Sequence, residues 1–212
     1  MRRGKFIALE GGEGTGKSTQ SRLLADWLRS QGRDVVLTRE PGGTPGAEAI
    51  RSLLLDPPGD GWGSRAEALL FAAARSDHVE KLIRPAMLAG KWVVCDRFID
   101  SSRAYQGGAG KLGDDAVQKL HAIGSEDLRP DLTFLIVVPA QKVALRLARR
   151  DGESSDAIGG RDAAYHRSVG ETFEAIAATE PERFVLIDGD AAPEQVHSRI
   201  VSAISSTPDL RA

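Results

Sequence analysis

The sequence has a single cysteine, no asparagine and no apolar run of the length that crosses a membrane. One thiol, Cys95, excludes an internal disulfide and a zinc site built on cysteines. With 28 Lys and Arg against 30 Asp and Glu, the net charge of −2 excludes a strongly basic protein that coats nucleic acid. Gly and Pro, 23 and 10 of 212 residues, are too few for a low-complexity chain. We therefore expect no nucleic-acid partner and no membrane association.

The composition that is present, 41% apolar and 27% charged residues, is typical of a folded domain. A length of 212 residues suits a single domain, which we expect to span residues 1–212. The first ten residues are basic and then apolar, but the apolar stretch ends at Glu10 and no small-residue cleavage site follows. This start predicts no signal peptide, so we expect a cytoplasmic protein.

Five short apolar runs predict buried strands, and amphipathic stretches between them predict helices. The predicted strands cover residues 5–10, 35–39, 92–96, 132–138 and 184–188. The predicted helices cover residues 17–31, 65–89, 114–123, 141–150, 163–179 and 193–204. This alternation predicts an α/β fold with a parallel sheet. The least structured parts, which are typical of binding loops or lids, are residues 56–64, 107–113 and 151–160.

Residues 11–18, GGEGTGKS, match the phosphate-binding pattern G-x-x-x-x-G-K-[ST] between a predicted strand and a predicted helix. The glycines let backbone N–H groups close around anionic oxygens, and the helix N-terminus adds partial positive charge. Lys17 is placed to reach the β- and γ-phosphates, and the Ser18 hydroxyl can bind Mg²⁺. The pattern therefore predicts a P-loop that binds a nucleoside triphosphate.

Two other nucleotide-binding readings are disfavoured. Residues 108–113 match G-x-G-x-x-G, but they follow a polar stretch instead of a strand, which favours a mobile loop over a dinucleotide site. A GTPase would need N/T-K-x-D, and the sequence has no asparagine and no Thr-Lys step. Asp96 ends the predicted strand at 92–96 and Arg97 follows it, where the carboxyl end of a parallel strand faces the ligand and an arginine can clamp a second phosphate.

Four motifs in order resemble those of bacterial thymidylate kinases, a family of P-loop nucleoside monophosphate kinases. They are residues 9–19 (LEGGEGTGKST), 38–44 (TREPGGT), 69–75 (LLFAAAR), and 96–98 (DRF) with 101–107 (SSRAYQG). The resemblance covers nearly the whole chain. It implies a three-layer P-loop NTPase fold, with a five-stranded parallel sheet of order 2-3-1-4-5 flanked by helices, and a short lid at about residues 149–162.

The resemblance also implies an activity: transfer of the ATP γ-phosphoryl group to dTMP, with Mg²⁺, giving dTDP and ADP for dTTP synthesis. The acceptor phosphate has a second pKa of about 6, so it needs charge neutralisation and placement more than a strong base. The resemblance further implies a homodimer, for which the helices at 65–89 and from Asp114 are candidates. Two alternatives stay open: a P-loop kinase for another nucleotide or small metabolite, and a nucleotide-sensing module without turnover.

Carried over to matching positions, the resemblance assigns candidate roles to individual residues; Arg161 and Arg149, from a lid that does not match, are added as candidates. The candidate catalytic residues are Lys17, Arg97, Asp96, Glu13 and Arg161. The candidate ATP-binding residues are Gly11, Gly12, Glu13, Gly14, Thr15, Gly16, Lys17, Ser18, Thr19 and Arg149. The candidate dTMP contacts are Arg39, Pro41, Leu55, Phe71, Arg75, Arg97, Ser102, Tyr105 and Gln106. The candidate Mg²⁺ ligands are Ser18 and Asp96.

The lid departs from the family's pattern. The P-loop interior carries no arginine, so the lid must supply the cation for the transferring phosphoryl group. The family has an Asp-Arg step in the lid, where this chain has Asp156 and Ala157. The remaining candidates are Arg149, Arg150 and Arg161; we favour Arg161, with Arg149 next.

Overall fold

The computed structural model describes residues 3–151 and 157–207, with side chains for all of these except residues 148–151. Five strands form one parallel sheet in the order β2-β3-β1-β4-β5, as the resemblance implies. The strands are β1 (Phe6–Glu10), β2 (Val35–Arg39), β3 (Trp92–Asp96), β4 (Leu132–Val137) and β5 (Phe184–Asp188). Their bounds lie within one residue of the predicted runs, because each run is apolar enough to be buried on both faces.

The helices in the described residues cover both faces of the sheet. They are α1 (Lys17–Ser30), α2 (Pro45–Leu55), α3 (Ser64–His78), α4 (Arg84–Leu88), α5 (Ile99–Ser102), α6 (Asp114–Ser125), α7 (Ala140–Asp151), α8 (Ala163–Thr179) and α9 (Pro193–Ser206). Two π-helical segments, Val79–Ile83 and Arg103–Ala109, join α3 to α4 and extend α5. None of the helices in residues 3–151 and 157–207 is long and apolar enough to span a membrane.

The core divides into layers because alternate side chains of a strand point to opposite faces. Ile7 and Leu9 of β1 pack in a cluster with residues of α1 and α9. Phe6 and Ala8 pack on the other face, in a cluster that includes Val117 of α6. The result is a three-layer α/β structure.

Residues 64–88 are helical without a break, close to the predicted span of 65–89, but the helix is not an α-helix throughout. It runs as α3 to His78, widens into the π-helical segment Val79–Ile83 and continues as α4. Pro85 lies in the first turn of α4, where its missing N–H is tolerated; inside an uninterrupted α-helix it would remove a hydrogen bond and clash with the preceding turn.

The loop prediction for residues 107–113 needs correction in part. Gly107, Gly108 and Ala109 belong to the π-helical segment Arg103–Ala109, and Gly110–Gly113 form the turn before α6. A Cβ on Gly108 would lie 2.2 Å from Thr172 Oγ1 of α8, so the glycine allows close packing of the two helices. This glycine therefore has a packing role.

Two helical regions have no counterpart among the predicted elements. The first is α2, whose N-terminus is signalled by Thr44: its hydroxyl accepts a hydrogen bond from the backbone N–H of Ala47 at 3.3 Å, and Pro45 follows it. The second is α5 with its π-helical extension. Both regions lie at the carboxyl edge of the sheet, next to the site described below.

Candidate active site

The loop between β1 and α1 has the backbone of a phosphate-binding loop. Gly11, Gly14 and Gly16 have φ angles of 141°, 70° and 98°, a region that favours glycine. A Cβ on Gly11 would lie only 2.5 Å from the Ile136 carbonyl oxygen of β4, so the close approach of the two strands also requires glycine here. The loop leads directly into the N-terminus of α1 at Lys17.

Lys17 folds back over this loop, where Nζ donates to the Gly12 carbonyl oxygen at 2.6 Å. The side chain is buried, and burial, helped by the charge of Arg97, lowers the pKa of Lys17 to about 8. Glu13 and Asp96 oppose that shift. The ammonium therefore stays mainly charged at neutral pH.

Asp96 at the end of β3 meets the start of α1. The Ser18 hydroxyl donates to Asp96 Oδ2. Asp96 Oδ1 is buried and has no hydrogen-bond partner among the described residues. A carboxylate oxygen left without a donor, next to a serine hydroxyl, leaves an acceptor available for a hydrated cation.

Arg97 has a φ of 70°, which turns its side chain back over the P-loop. Nη1 donates to the Gly11 carbonyl at 3.2 Å and to Ser101 Oγ at 3.1 Å, and Nη2 donates to the Glu13 carboxylate. The guanidinium also lies 5.1 Å from the centre of the Tyr105 ring. Burial works to lower the pKa of Arg97, but Tyr105 and the nearby carboxylates outweigh it and raise the pKa. A permanently charged guanidinium therefore faces the cleft.

Helix α3 forms the other end of the site. Glu67, Phe71 and Arg75 are spaced four residues apart and so lie on one face of this helix. Arg75 Nη2 donates to Ser102 Oγ at 2.7 Å, which links α3 to α5. Arg75 Nε donates to Glu40 Oε2 at 2.7 Å, and the Arg75 side chain is only 3% exposed. From the sequence alone Arg75 could equally be a solvated charge on the surface of α3, but the structure buries it at the site.

Glu40 completes this buried pair. Its carboxylate also lies 3.2 Å from His78 Nδ1, and the His78 Nε2 atom lies 2.7 Å from Thr38 Oγ1. Burial works to raise the pKa of Glu40, but Arg75 and His78 more than compensate and lower it. His78 is missed by the sequence analysis, because a lone histidine on a helix carries no signal of a partner 38 residues earlier in the chain.

The two ends form one cleft of about 570 Å³ at the carboxyl edge of the sheet. Most of the predicted site residues line it: Glu13, Gly14, Gly16, Lys17, Ser18, Thr19, Arg39, Pro41, Leu55, Phe71, Arg75, Asp96, Arg97, Ser102, Tyr105 and Gln106. Gly11, Gly12 and Thr15 shape the loop without lining the cleft. Predicted residues as far apart in the chain as Glu13 and Gln106 thus share one cavity.

The lid arginines are placed differently. The side chains of Arg149 and Arg150, and Asp156 beside the Ala157 departure, lie outside the described residues. Arg161 does not line the cleft: it donates to the Glu67 carboxylate and to the Tyr165 hydroxyl, and it lies 4.6 Å from the centre of the Tyr165 ring.

Several residues that line the cleft were not among the candidate site residues: Arg22, Glu40, Arg51, Phe98, Ser101, Arg146, Leu147 and Ile158. Arg146 of α7 is the most notable cation among them. It donates to the Gly189 carbonyl at 2.9 Å and approaches the Thr15 carbonyl at 3.4 Å, so it joins the P-loop to the loop after β5. Its position in an amphipathic helix gave no signal, because only tertiary packing lays α7 over the P-loop.

Comparisons with known proteins agree with this geometry. The family described as Thymidylate kinase matches residues 9–200. The thymidylate kinase of Rhizorhabdus wittichii is 55% identical over 202 residues, which cover 95% of this chain and 97% of that protein. The thymidylate kinase of Rhodopseudomonas palustris is 52% identical over 204 residues, covering 95% and 89%. A crystal structure of thymidylate kinase from Ehrlichia chaffeensis superposes with a TM-score of 0.77 at 33% identity, covering 95% of this chain and 99% of that one.

Proposed function

The chain belongs to the thymidylate kinase family and transfers the γ-phosphoryl group of ATP to dTMP, and we propose that its cleft does so mainly by neutralising charge. The observation that carries this proposal is the placement of Lys17, Asp96 and Arg97 at one end of the cavity that Phe71 and Arg75 enclose at the other. A nucleophilic phosphate that is already ionised needs cations and alignment, and the cleft offers both.

The cationic side chains bind different phosphate groups according to their position in the cleft. Lys17 holds the β- and γ-phosphates of ATP over the P-loop, whose residues Gly11–Thr19 supply backbone donors. Arg97 and Arg39 hold the phosphate of dTMP, and Glu13 fixes the Arg97 fork through their ion pair. The reacting oxygen is thereby brought in line with the γ-phosphorus, and no residue has to remove a proton from it.

Mg²⁺ is the metal that these residues fit. The buried Asp96 Oδ1, which lacks a partner among the described residues, and the Ser18 hydroxyl would hold it, directly or through water. The described residues contain no group of three or more His, Cys, Asp or Glu that could hold a metal ion, and Mg²⁺ bound with phosphates needs fewer protein ligands. When bound, the ion would neutralise charge on the β- and γ-phosphates.

The base and sugar lie at the α3 end. Phe71 offers a ring face for thymine, Pro41 and Leu55 an apolar wall, and Arg75 a donor for a base carbonyl. Ser102 and Gln106 line the same end and read the pyrimidine edge. Tyr105, whose hydroxyl donates to Glu13 Oε1 at 3.4 Å, closes against the deoxyribose.

We propose that residues 1–212 form a single domain and that residues 149–162 form a lid that closes over the phosphates. Arg161 then leaves the Glu67 carboxylate to reach the transferring phosphoryl group, and Arg149 contributes to ATP binding. The position of Arg161 on the turn before α8, outside the cleft, is consistent with a residue that enters only on closure.

We also propose a homodimer and a cytoplasmic location. Leu69 of α3 and Ile123 of α6 are large apolar side chains that are 55% and 83% exposed, and these two helices contact each other. Exposed apolar side chains on two helices that pack together suit a self-complementary interface. The lone buried thiol of Cys95 fits a reducing compartment. Sedimentation of a monomer at micromolar concentration would contradict the dimer.

Steady-state turnover tests the assignment. With ATP and Mg²⁺, dTMP should give a higher kcat/KM than dCMP, dGMP or AMP, measured by coupled release of ADP. Equal or better rates with another monophosphate would favour the alternative kinase. Tight dTMP binding without ADP release would favour a sensing module.

A further inference from the structure

Glu67 lies behind the base end of the cleft without lining it. The side chain is buried against α5's π-helical extension and the turn before α8. Its Oε1 accepts a hydrogen bond from Gln106 Nε2 at 2.8 Å, and its Oε2 accepts from Arg161. Gln106 itself lines the cleft and is 2% exposed. Glu67 is therefore one hydrogen bond away from any ligand that Gln106 meets.

This contact fixes which end of the Gln106 amide faces the cleft. An amide has a donating nitrogen and an accepting oxygen, whereas an ionised carboxylate only accepts. Both carboxylate oxygens of Glu67 accept, Oε2 from Arg161 and Oε1 from Gln106, so the nitrogen end of Gln106 turns toward Glu67. The oxygen is the atom left for the cleft, which consequently presents an acceptor at this point.

We propose that Glu67 is a positioning residue that sets the base specificity of the site by holding the Gln106 amide with its oxygen toward the cleft. This inference rests on the proposed function, in which Gln106 and Arg75 meet the base. Arg75 can only donate, and an oriented Gln106 can only accept. Together they fit a pyrimidine with a carbonyl next to a ring N–H, as in thymine. Cytosine, with an amino group next to an unprotonated ring nitrogen, mismatches both.

Mismatched buried polar groups discriminate strongly, because the site's own donors and acceptors are left without partners. An amide free to rotate would lose this discrimination, since its nitrogen could serve a ring acceptor as well as its oxygen serves a ring donor. The specificity therefore depends on the acceptor behind Gln106, which no ligand touches.

The substitution Glu67→Gln tests the proposal because it keeps the size of the side chain but leaves only one accepting oxygen. In the open state to which dTMP first binds, before Arg161 leaves on closure, its charged guanidinium competes best for that oxygen, so the new amide nitrogen faces Gln106 and inverts it. We expect the ratio of kcat/KM for dTMP to that for dCMP to fall about tenfold, the worth of one hydrogen bond. The loss should appear mainly as a higher KM for dTMP, with kcat at saturating dTMP changed less than about threefold.

A double-mutant cycle separates this role from a merely structural one. Gln106→Ala alone should lower the ratio, and adding Glu67→Gln to it should lower the ratio no further. Glu174→Gln, an exposed position on α8, is the matched control and should leave the ratio unchanged. Thermal melts report folding; if Glu67→Gln does not fold, Glu67→Met, which also removes the acceptor, carries the same expectation.

The outcomes distinguish this inference from the proposed function. If the native protein does not phosphorylate dTMP, the proposed function fails. If it does and Gln106→Ala lowers the ratio, but Glu67→Gln leaves it within about twofold of the native value, the role of Glu67 is overturned while the function stands. A further loss in the double variant, or no effect of Gln106→Ala, also overturns the inference.

Discussion

Replacing Arg75 by methionine removes the cation from its buried ion pair with Glu40. Of the two side chains that contact the Glu40 carboxylate as ion-pair partners, only His78 then remains. Both side chains of the pair are less than a twentieth exposed, at 3% and 4%. Breaking one side of such a pair costs about 3–5 kcal/mol, because the other charge stays buried without compensation. At about 2–4 °C per kcal/mol for a chain of this size, the melting midpoint should fall by roughly 6–20 °C.

Calorimetry at pH 7 measures the shift, and the exposed pair between Lys91 and Asp34 provides the control. Lys91 Nζ lies 3.1 Å from Asp34 Oδ2, with the two side chains 42% and 67% exposed. Lys91→Met should therefore change the unfolding free energy by less than about 1 kcal/mol. Equal melting midpoints for the native protein and Arg75→Met would refute the argument that the pair is buried and mutually compensating.

The same variant has a pH signature. The folded state lowers the pKa of Glu40, so its ionisation stabilises the native protein above pH 4.5. That stabilisation is lost as the pH falls through the lowered pKa. In Arg75→Met the carboxylate lacks its main cation, so the gap in stability between the two proteins should narrow at acid pH. A gap that widens on acidification would contradict this assignment of charge.

Four further outcomes follow from the site. Lys17→Ala should lower kcat by at least about a hundredfold with an unchanged melting midpoint; near-native turnover would remove Lys17 from phosphate binding. Arg161→Ala should lower kcat more than it raises the KM for dTMP, and a change in KM alone would make it a ground-state contact. Asp96→Asn should raise the Mg²⁺ concentration for half-maximal activity about tenfold or more, and an unaltered Mg²⁺ dependence would free Asp96 from that role. Burial, with the charge of Asp100, raises the pKa of Glu10 from 4.5 to about 7, so the stability that this group contributes to the native protein is lost as the pH rises through that window. Glu10→Gln should therefore gain stability relative to the native protein from pH 5 to pH 8. A constant difference in stability between the two proteins would contradict the shift.

The elements that the sequence predicted well are those whose signal is local. The runs at β2, β3 and β5 match the observed bounds because burial on both faces demands a continuous apolar segment. The P-loop is equally local, since its glycines are needed by their own backbone angles. Helix α2 was missed although Thr44 and Pro45 mark its start, because the prediction relied on apolar periodicity instead of caps.

The parts of the site that escaped prediction depend on partners far apart in the chain. Nothing near Arg75 shows that Glu40, 35 residues earlier, will be buried against it. Arg146 reaches the P-loop only because α7 packs over a loop that lies 131 residues earlier. Arg161 is the favoured arginine of a lid that departs from the family's pattern, and its contact with Glu67 is set by the packing of the turn before α8 against α3.

The sequence by itself determined the strands and the phosphate loop, because backbone conformation and apolar periodicity are encoded within a few neighbouring positions, and the resemblance of its motifs to a known family pointed to most of the other residues that line the cleft. Only the tertiary structure decided which charges are buried, which carboxylate each arginine meets and how the Gln106 amide is turned. These depend on the distances between elements that the parallel sheet brings side by side, and charge interactions in a buried cleft change steeply with such distances.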